Sequence, residues 1–386
     1  MKIKDVRSII LRAPLERPLG YSQAWITART AHIVQVETDD GIVGLGEAFG
    51  GGGVAFANAA IVQHVLAPLL VGQDPLDVER LWHAMYNATR DHGQKGMPLQ
   101  AISGVDVALW DVVGKALGQP LYKLLGGAFR DRIEPYGYGM LFREVDDLAA
   151  DFEREAAGIV AMGFRAVKMK IGRSPAEDAR LAAAVRRGIG PERRFMADAN
   201  HAYTAAEAIP LGRKLEELGC SWFEEPVAPE DLDGYREVKT ALDVPIAGGE
   251  AEFTRWGFRE LIARRCVDLL QPEVCGLGGI TEFRKVVALA TAWGIPVIPH
   301  VWGSCVAVAT NVHLVASLPD QPGALTPTQP LLEYDTTPNP FREELARDPL
   351  DVPGQVKASG GTIGLIDKPG VGVELDPKVV GRYRVG

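Results

Sequence analysis

The chain changes rhythm about a third of the way along. Residues 1–50 read as strands: Ala31–Thr38 is strand-like, and Asp39-Asp40-Gly41 makes a tight turn into Ile42-Val43-Gly44-Leu45. A glycine run, Gly50–Gly53, reads as a mobile loop. Residues 54–125 are mostly helical. Ile102, Val105, Leu109, Val112 and Val113 recur at helical spacing, and Gly126-Gly127 ends the last helix. Strands followed by helices predict an α+β unit over residues 1–127.

Short apolar segments then alternate with helices: Ala166–Met169, Arg194–Ala197, Ser221–Phe223, Pro245–Gly248, Val267–Leu270, Pro296–Ile298 and Pro330–Leu332. Two of the intervening helices start at capping boxes, Ser174-Pro-Ala-Glu177 and Thr204-Ala-Ala-Glu207. Pro175 takes the first helical position, where its missing N–H costs little. Such alternation predicts a parallel sheet with crossover helices. Eight units close into a barrel of about 250 residues, and residues 128–350 supply that length.

Composition narrows the function classes. A length of 386 residues fits two domains or a barrel with an attachment, and 47% apolar with 24% charged residues is globular. The formal charge of −9 argues against a nucleic-acid or anionic-membrane partner. No run of 18 uninterrupted apolar residues occurs, so no membrane span is expected. The N-terminus lacks the apolar stretch and cleavage site of a secretory signal, which predicts a cytoplasmic protein. Cys220, Cys266, Cys275 and Cys305 show no CxxC spacing and read as buried thiols. Gly44-x-Gly46 is followed by Phe49 where a dinucleotide fingerprint needs glycine, so that reading is set aside.

The candidate chemistry lies in the barrel. Asp198 closes one apolar segment, Glu224 follows 26 residues later, and Glu250 another 26 after that. One βα unit has about this length, so the three carboxylates stand at the same end of consecutive parallel strands, where barrel enzymes keep their active sites. A single such carboxylate would read as a helix cap. Three in register, with no Cys or His among them, suit a hard cation, Mg²⁺ above all. Upstream, Lys168 and Lys170 lie two apart on one strand and share a face. Paired there beside a metal, one lysine is expected to have its pKa lowered by the neighbouring cations into a usable base. Downstream, Glu273 follows the sixth strand, His300 ends the seventh and Glu333 ends the eighth. Glu273 stands one strand from His300 and could orient it as a second base. The set suits abstraction of a proton α to a carboxylate, with an enediolate held by the metal.

Lys168-x-Lys170, Asp198-Ala-Asn200, Glu224-Glu225-Pro226, Gly249-Glu250, and His300 with Glu333 resemble the enolase superfamily, in its mandelate racemase subgroup. The stretch Ala101–Asp111, running on to Leu124-Leu-Gly-Gly127, resembles the N-terminal domain of that family. The resemblance implies a modified (β/α)7β barrel under an N-terminal α+β capping domain, with residues 351–386 returning to the cap. It implies Asp198, Glu224 and Glu250 as magnesium ligands, and Lys170 and His300 as bases on opposite faces. It implies Lys168 beside the substrate carboxylate, and Glu333 as hydrogen-bond partner of the enediolate. Asn200, Tyr21 and Trp302 are the substrate contacts it suggests, and a homo-oligomer is the expected assembly. Glu273 departs from the aspartate usual beside the histidine.

Pro299–Gly303, Glu333–Phe341 and Arg90–Gln94 are also similar to segments of galactarolactone cycloisomerases. The substrate implied is a small carboxylate or sugar lactone, opened by β-elimination, or an acid sugar that is dehydrated. A racemase or epimerase using both bases, and a binding barrel without turnover, are the alternatives. Specificity would lie in the capping segments Leu19–Ala28 and Phe49–Ala55. The second offers Phe49, with Phe56 just beyond it, but no Arg or Lys to grip a distal carboxylate.

Overall fold

The computed structural model describes residues 1–321, 325–350 and 361–386. The first part of the expected C-terminal segment, residues 351–360, and residues 322–324 of the expected barrel lie outside the described residues. The cap begins with an antiparallel sheet of β1 (Ile3–Tyr21), β2 (Ala24–Thr38) and β3 (Val43–Ala48). The register of β1 and β2 slips between Pro14 and Leu19, where Pro14 and Pro18 withhold ladder donors. The expected capping loop Leu19–Ala28 is therefore the tip of a hairpin, turning at Ser22-Gln23.

The helix Met97–Leu117 lies flat on β3. Glycines make that approach possible: a Cβ on Gly46 would sit 2.0 Å from the Gly104 carbonyl oxygen, and one on Gly44 2.2 Å from that of Ala108. The helical stretch Gly53–Leu70 is the one among the described residues long and apolar enough to cross a membrane. It is broken by a π turn at Val62–Leu66, and its Ala55, Asn58, Val62, Leu66 and Leu70 face is buried in the cap.

The second layer is a curled parallel sheet. Its strands are β4 (Pro135–Tyr138), β5 (Ala166–Lys170), β6 (Arg194–Asp198), β7 (Phe223–Glu224), β8 (Ile246–Gly248), β9 (Leu269–Leu270) and β10 (Leu332–Asp335). They pair in the order β9-β8-β7-β6-β5-β4-β10. Crossover helices such as Pro175–Ile189 and Ala205–Glu217 cover the outside. Ser174 caps the first of these, but its box is incomplete because Glu177 turns to Arg173; the box of Thr204 and Glu207 is complete.

Three expectations are corrected here. The expected strand Pro296–Ile298 joins β9 only through isolated bridges, with Leu270 N donating to Pro296 O and Ile298 N to Leu270 O, both at 3.0 Å. Its prolines and short length leave it out of the continuous ladder. The last strand starts later than expected and runs to Asp335, so Glu333 sits inside it rather than at its end. β4 was implied by the count of eight but not located, since Gly137 between two tyrosines weakens its strand signal.

Polar clamps dock the cap on the barrel. Glu47 at the end of β3 accepts from Ser304 N (2.9 Å), Ser304 Oγ (2.6 Å) and Ala307 N (3.0 Å), which caps the helix Cys305–Ser317 from another domain. Asp106 does the same at the start of Gly279–Ala292, accepting from Thr281 N at 2.9 Å and Thr281 Oγ1 at 2.6 Å. Trp82 Nε1 donates to Gly278 O at 2.7 Å. From the tail, Val371 N donates to Asp111 at 2.7 Å and Val385 N to Ile10 O at 2.9 Å.

The strand–helix contact in the cap is open to a direct test. Gly46→Ala should destabilise the protein by about 1–3 kcal/mol through overpacking, seen as a lower melting temperature. Gly51→Ala, whose Cβ meets nothing within 4 Å, is the control and should melt like the parent. Equal melting of both variants would mean that β3 and the helix are not packed this closely.

Candidate active site

The parallel register aligns the carboxylates. Lys170 pairs with Asp198 across β5 and β6, and Asp198 with Glu224 across β6 and β7. Glu250 stands two residues past β8, after Gly249 at φ +123°, a backbone angle that favours glycine. Carboxylate oxygens of Asp198, Glu224 and Glu250 all lie within 4.8 Å of one another.

The neighbouring side chains brace this group. Lys168 Nζ lies 2.6 Å from both Glu224 Oε1 and Glu333 Oε1, and 3.7 Å from Asp198 Oδ2. Lys170 is ion-paired with Asp198. Trp222 Nε1 (2.9 Å) and Gln271 Nε2 (2.7 Å) donate to Glu224 Oε2. Asn200 Nδ2 donates to Glu250 Oε1 at 3.2 Å. His300 Nδ1 is 2.7 Å from Glu273 Oε2, and its Nε2 is 3.2 Å from Glu250 Oε2. The other oxygen of Glu273 accepts from Cys275 N at 2.8 Å, so the longer side chain is held from both sides.

A cavity of about 80 Å³ opens above this layer, lined by Tyr21, Asn200, Glu250, Lys170, His300 and Trp302 together with Ile26, Phe49 and Tyr138. Lys168, Asp198, Glu224, Glu273 and Glu333 lie buried beneath or beside it. Sequence reasoning missed Gln271, Trp222 and Tyr138. Trp222 braces Glu224 from two residues before it and Gln271 from beyond the next strand, and Tyr138 belongs to β4, which the sequence did not locate. Phe49 enters the cavity, whereas Phe56 is 47% exposed.

The electrostatics correct one expectation. Burial pushes the Lys170 ammonium down, but Asp198 and then Tyr138 outweigh it and raise its pKa above the ordinary lysine value. Lys168 opposes this as expected, without prevailing. Lys168 is likewise raised, burial being outweighed by Glu224 and Glu333. Both lysines are therefore held as cations by the protein's own groups. His300 is raised to about 10, since Glu250, Glu333 and Glu273 overcome the effect of burial. Burial works against the charge on Asp198, but Lys170 and Lys168 hold it below the carboxylate range. Burial, with help from Asp198, raises Glu224 to about 8, and burial raises Glu250 to about 7 despite His300. Glu333 is lowered, Lys168 and His300 overcoming burial, so it accepts hydrogen bonds and has no proton to donate.

These residues fit a hard divalent cation. Asp198, Glu224, Glu250, Glu273 and Glu333 stand against Lys168, Lys170 and His300, an excess of two negative charges when all are ionised, with buried Glu225 and its partner His201 beside them. Glu250 Oε2 is buried without an aligned hydrogen-bond donor. The three candidate ligands are all oxygen donors, as Mg²⁺ prefers.

The chain is similar to known proteins over nearly its whole length. Residues 5–126 match the mandelate racemase / muconate lactonizing enzyme N-terminal domain, and residues 151–379 match the enolase C-terminal domain-like family. A D-galactarolactone cycloisomerase of Agrobacterium fabrum is 41% identical over 385 residues, covering 100% of this chain and 99% of the relative. An arabinonate dehydratase of Saccharolobus solfataricus is 36% identical over 351 residues, 91% of this chain and 89% of the relative. The crystal structure of a racemase from Streptomyces coelicolor with bound magnesium has a TM-score of 0.87 at 32% identity, covering 99% of this chain and 100% of that one.

Three outcomes follow for the carboxylates. Glu224 and Glu250 are raised above their unfolded values, so they favour the fold at low pH, and that contribution fades as pH rises through about 7 to 8. In chelator, the melting temperature should fall from pH 6 to 9. Mg²⁺ binding needs both groups deprotonated, so its affinity by calorimetry should rise over the same range. Glu224→Gln removes an anionic oxygen and should abolish most of that affinity. Affinity independent of pH and of Glu224 would remove the metal site from these residues.

Proposed function

The chain belongs to the mandelate racemase / muconate lactonizing enzyme family of the enolase superfamily, and from that premise we propose that it opens a sugar lactone, or dehydrates an acid sugar, by removing the proton α to a carboxylate. The observation that carries the proposal is one cavity lined by Lys170, Glu250 and His300. Along the sheet, the strand leading to Glu250 lies between the elements that carry the two proton-bearing groups. The cycloisomerase and dehydratase relatives support elimination over other fates of the same intermediate.

Asp198, Glu224 and Glu250 would hold Mg²⁺. When bound, it supplies the positive charge that stabilises the enediolate and draws the charge of Asp198 away from Lys170. Lys170, the preferred acceptor, must first lose its proton to solvent through the cavity it lines, and its neutral Nζ takes the α-proton. The C–H electron pair becomes the enediolate π bond, and its collapse breaks the bond from the β-carbon to oxygen. His300, protonated and oriented by Glu273, faces the cavity with Nε2–H as proton donor. A lactone expels a carboxylate, which leaves without help, whereas a dehydratase expels hydroxide and needs the proton. The enol product tautomerises to a 2-keto-3-deoxy acid. Lys168 and Glu333 form an ion pair beneath the cavity and position these groups; a hydrogen bond from Glu333 to the enediolate would require it first to take a proton.

A racemase is the second reading, favoured by a protonated His300 entering the same cavity as Lys170. Proton NMR in D₂O over a library of sugar acids and lactones separates the two. Elimination yields a 2-keto-3-deoxy product; racemisation gives α-deuterium with no loss of substrate. Lys170→Ala and His300→Asn should each cost at least roughly a hundredfold in kcat on an open acid sugar. The variant lacking the base should lose α-exchange altogether, while the variant lacking the acid should still exchange. Near-parental turnover in both variants would exclude this chemistry.

A further inference from the structure

Asn200 and His201, just past the end of β6, stand consecutively at φ +40° and +56°, a left-handed region that side chains rarely adopt, although asparagine tolerates it. The polar groups of Asn200 converge on the candidate metal site. Its N–H donates to Asp198 Oδ1 at 2.9 Å, and its side-chain Nδ2 donates to Glu250 Oε1 at 3.2 Å. One residue thus holds an oxygen of each of two candidate ligands, which follow strands that are not neighbours in the sheet.

The donors to the Asn200 carbonyl come from another domain. At the turn between β1 and β2, Ser22 Oγ donates to Asn200 O at 3.0 Å and Gln23 Nε2 donates at 2.9 Å, from 178 and 177 residues away in the chain. With its N–H tied to Asp198 and its carbonyl tied to the hairpin, Asn200 cannot relax to a right-handed backbone without breaking a bond. The Cβ that carries its amide to Glu250 is fixed with it. The turn itself is firmly seated. Gly20 N donates to Phe142 O at 2.8 Å and Phe142 N to Gly20 O at 2.7 Å, which joins the base of the turn to the segment after β4. A Cβ on Gly172, in the loop after β5, would lie 2.5 Å from Ser22 Cβ and 2.9 Å from Ala202 Cβ, so hairpin and both loops meet where only glycine leaves space. Tyr21 lines the catalytic cavity, whereas Ser22 and Gln23 are not among its walls and direct their donors to main chain.

We propose that Ser22 and Gln23 are positioning residues of the metal site: by holding the Asn200 carbonyl they keep Asn200 left-handed, and through it hold Asp198 and Glu250 in the arrangement that takes a divalent cation. The inference rests on the reading of Asp198, Glu224 and Glu250 as Mg²⁺ ligands. The cap then belongs to the metal site without supplying a ligand, and linkage requires the converse, that Mg²⁺ tightens the hairpin on the barrel. The test reads binding of Mg²⁺ alone, by calorimetry, rather than turnover. In Ser22→Ala/Gln23→Ala the dissociation constant should rise at least about fivefold, the effect of one net hydrogen bond. Neither substitution changes a charge, so the electrostatics at the ligands stay as they were. Thr27→Ala, on the same hairpin with an exposed side chain, is the control and should stay within about twofold of the parent. Gln23→Ala, which leaves Ser22 on the carbonyl, should fall between parent and double variant, and it keeps the test open if the double variant does not fold. Hydrogen exchange supplies the second reading: Mg²⁺ should slow exchange of the turn amides Tyr21–Ala24 in the parent and do so less in the variants. Parental affinity in both variants, an equal loss in Thr27→Ala, or turn amides indifferent to Mg²⁺ in the parent overturns the inference. A parent that binds no Mg²⁺ overturns the metal reading itself.

Discussion

Five carboxylates crowd the mouths of the parallel strands against three cationic side chains, and this imbalance governs the rest of the molecule. Like charges so close in a buried site repel strongly. They are held there because the strands beneath are locked in register by an apolar plug that includes Tyr136, Met196, Trp222, Ile298 and Leu331. The same imbalance explains why each charged group departs from its solution behaviour. Asp198 is held ionised by two lysines, Glu224 and Glu250 are pushed toward protonation, and His300 is pushed toward the cation. A divalent cation would answer that excess and would compete with Lys170 for Asp198.

Precision above the sheet comes from elements that the barrel does not itself contain. The tip of the β1–β2 hairpin approaches so closely that a Cβ on Gly172 would lie 2.5 Å from Ser22 Cβ. Asp178, buried in the helix after β5, accepts from Gly172 N at 2.8 Å and from the Tyr203 hydroxyl. One carboxylate thereby ties the loop after Lys170 to the loop after Asn200. Backbone strain gathers at the same place, with Asn200, His201 and Glu225 all at positive φ. The cap contributes Tyr21, Ile26 and Phe49 to the cavity, so part of its wall comes from outside the parallel sheet.

Much of this was legible in the amino-acid order. The 26-residue spacing of Asp198, Glu224 and Glu250 equals one βα unit, so a local repeat implied a shared rim. The two-residue spacing of Lys168 and Lys170 implied a shared face. Strand alternation, capping boxes and turn residues are likewise local, depending on neighbours a few positions away. Where local signals were weak, the reading failed: β4 hid behind Gly137, and Pro296–Ile298 appeared as a full strand although it joins the ladder only by bridges.

What the tertiary structure alone decided was how charges add through space. The sequence placed Lys170 beside cations and suggested a lowered pKa; the fold set Asp198 against it and raised it. Glu333 looked like the residue that ends its strand, and the register put it inside the strand, ionised against Lys168. Ser22 and Gln23 carried no motif, because the Asn200 carbonyl they meet lies 178 and 177 residues away. Periodicity is a property of neighbours in the chain and survives in the sequence, whereas protonation and recognition are sums over neighbours in space, which only folding brings together.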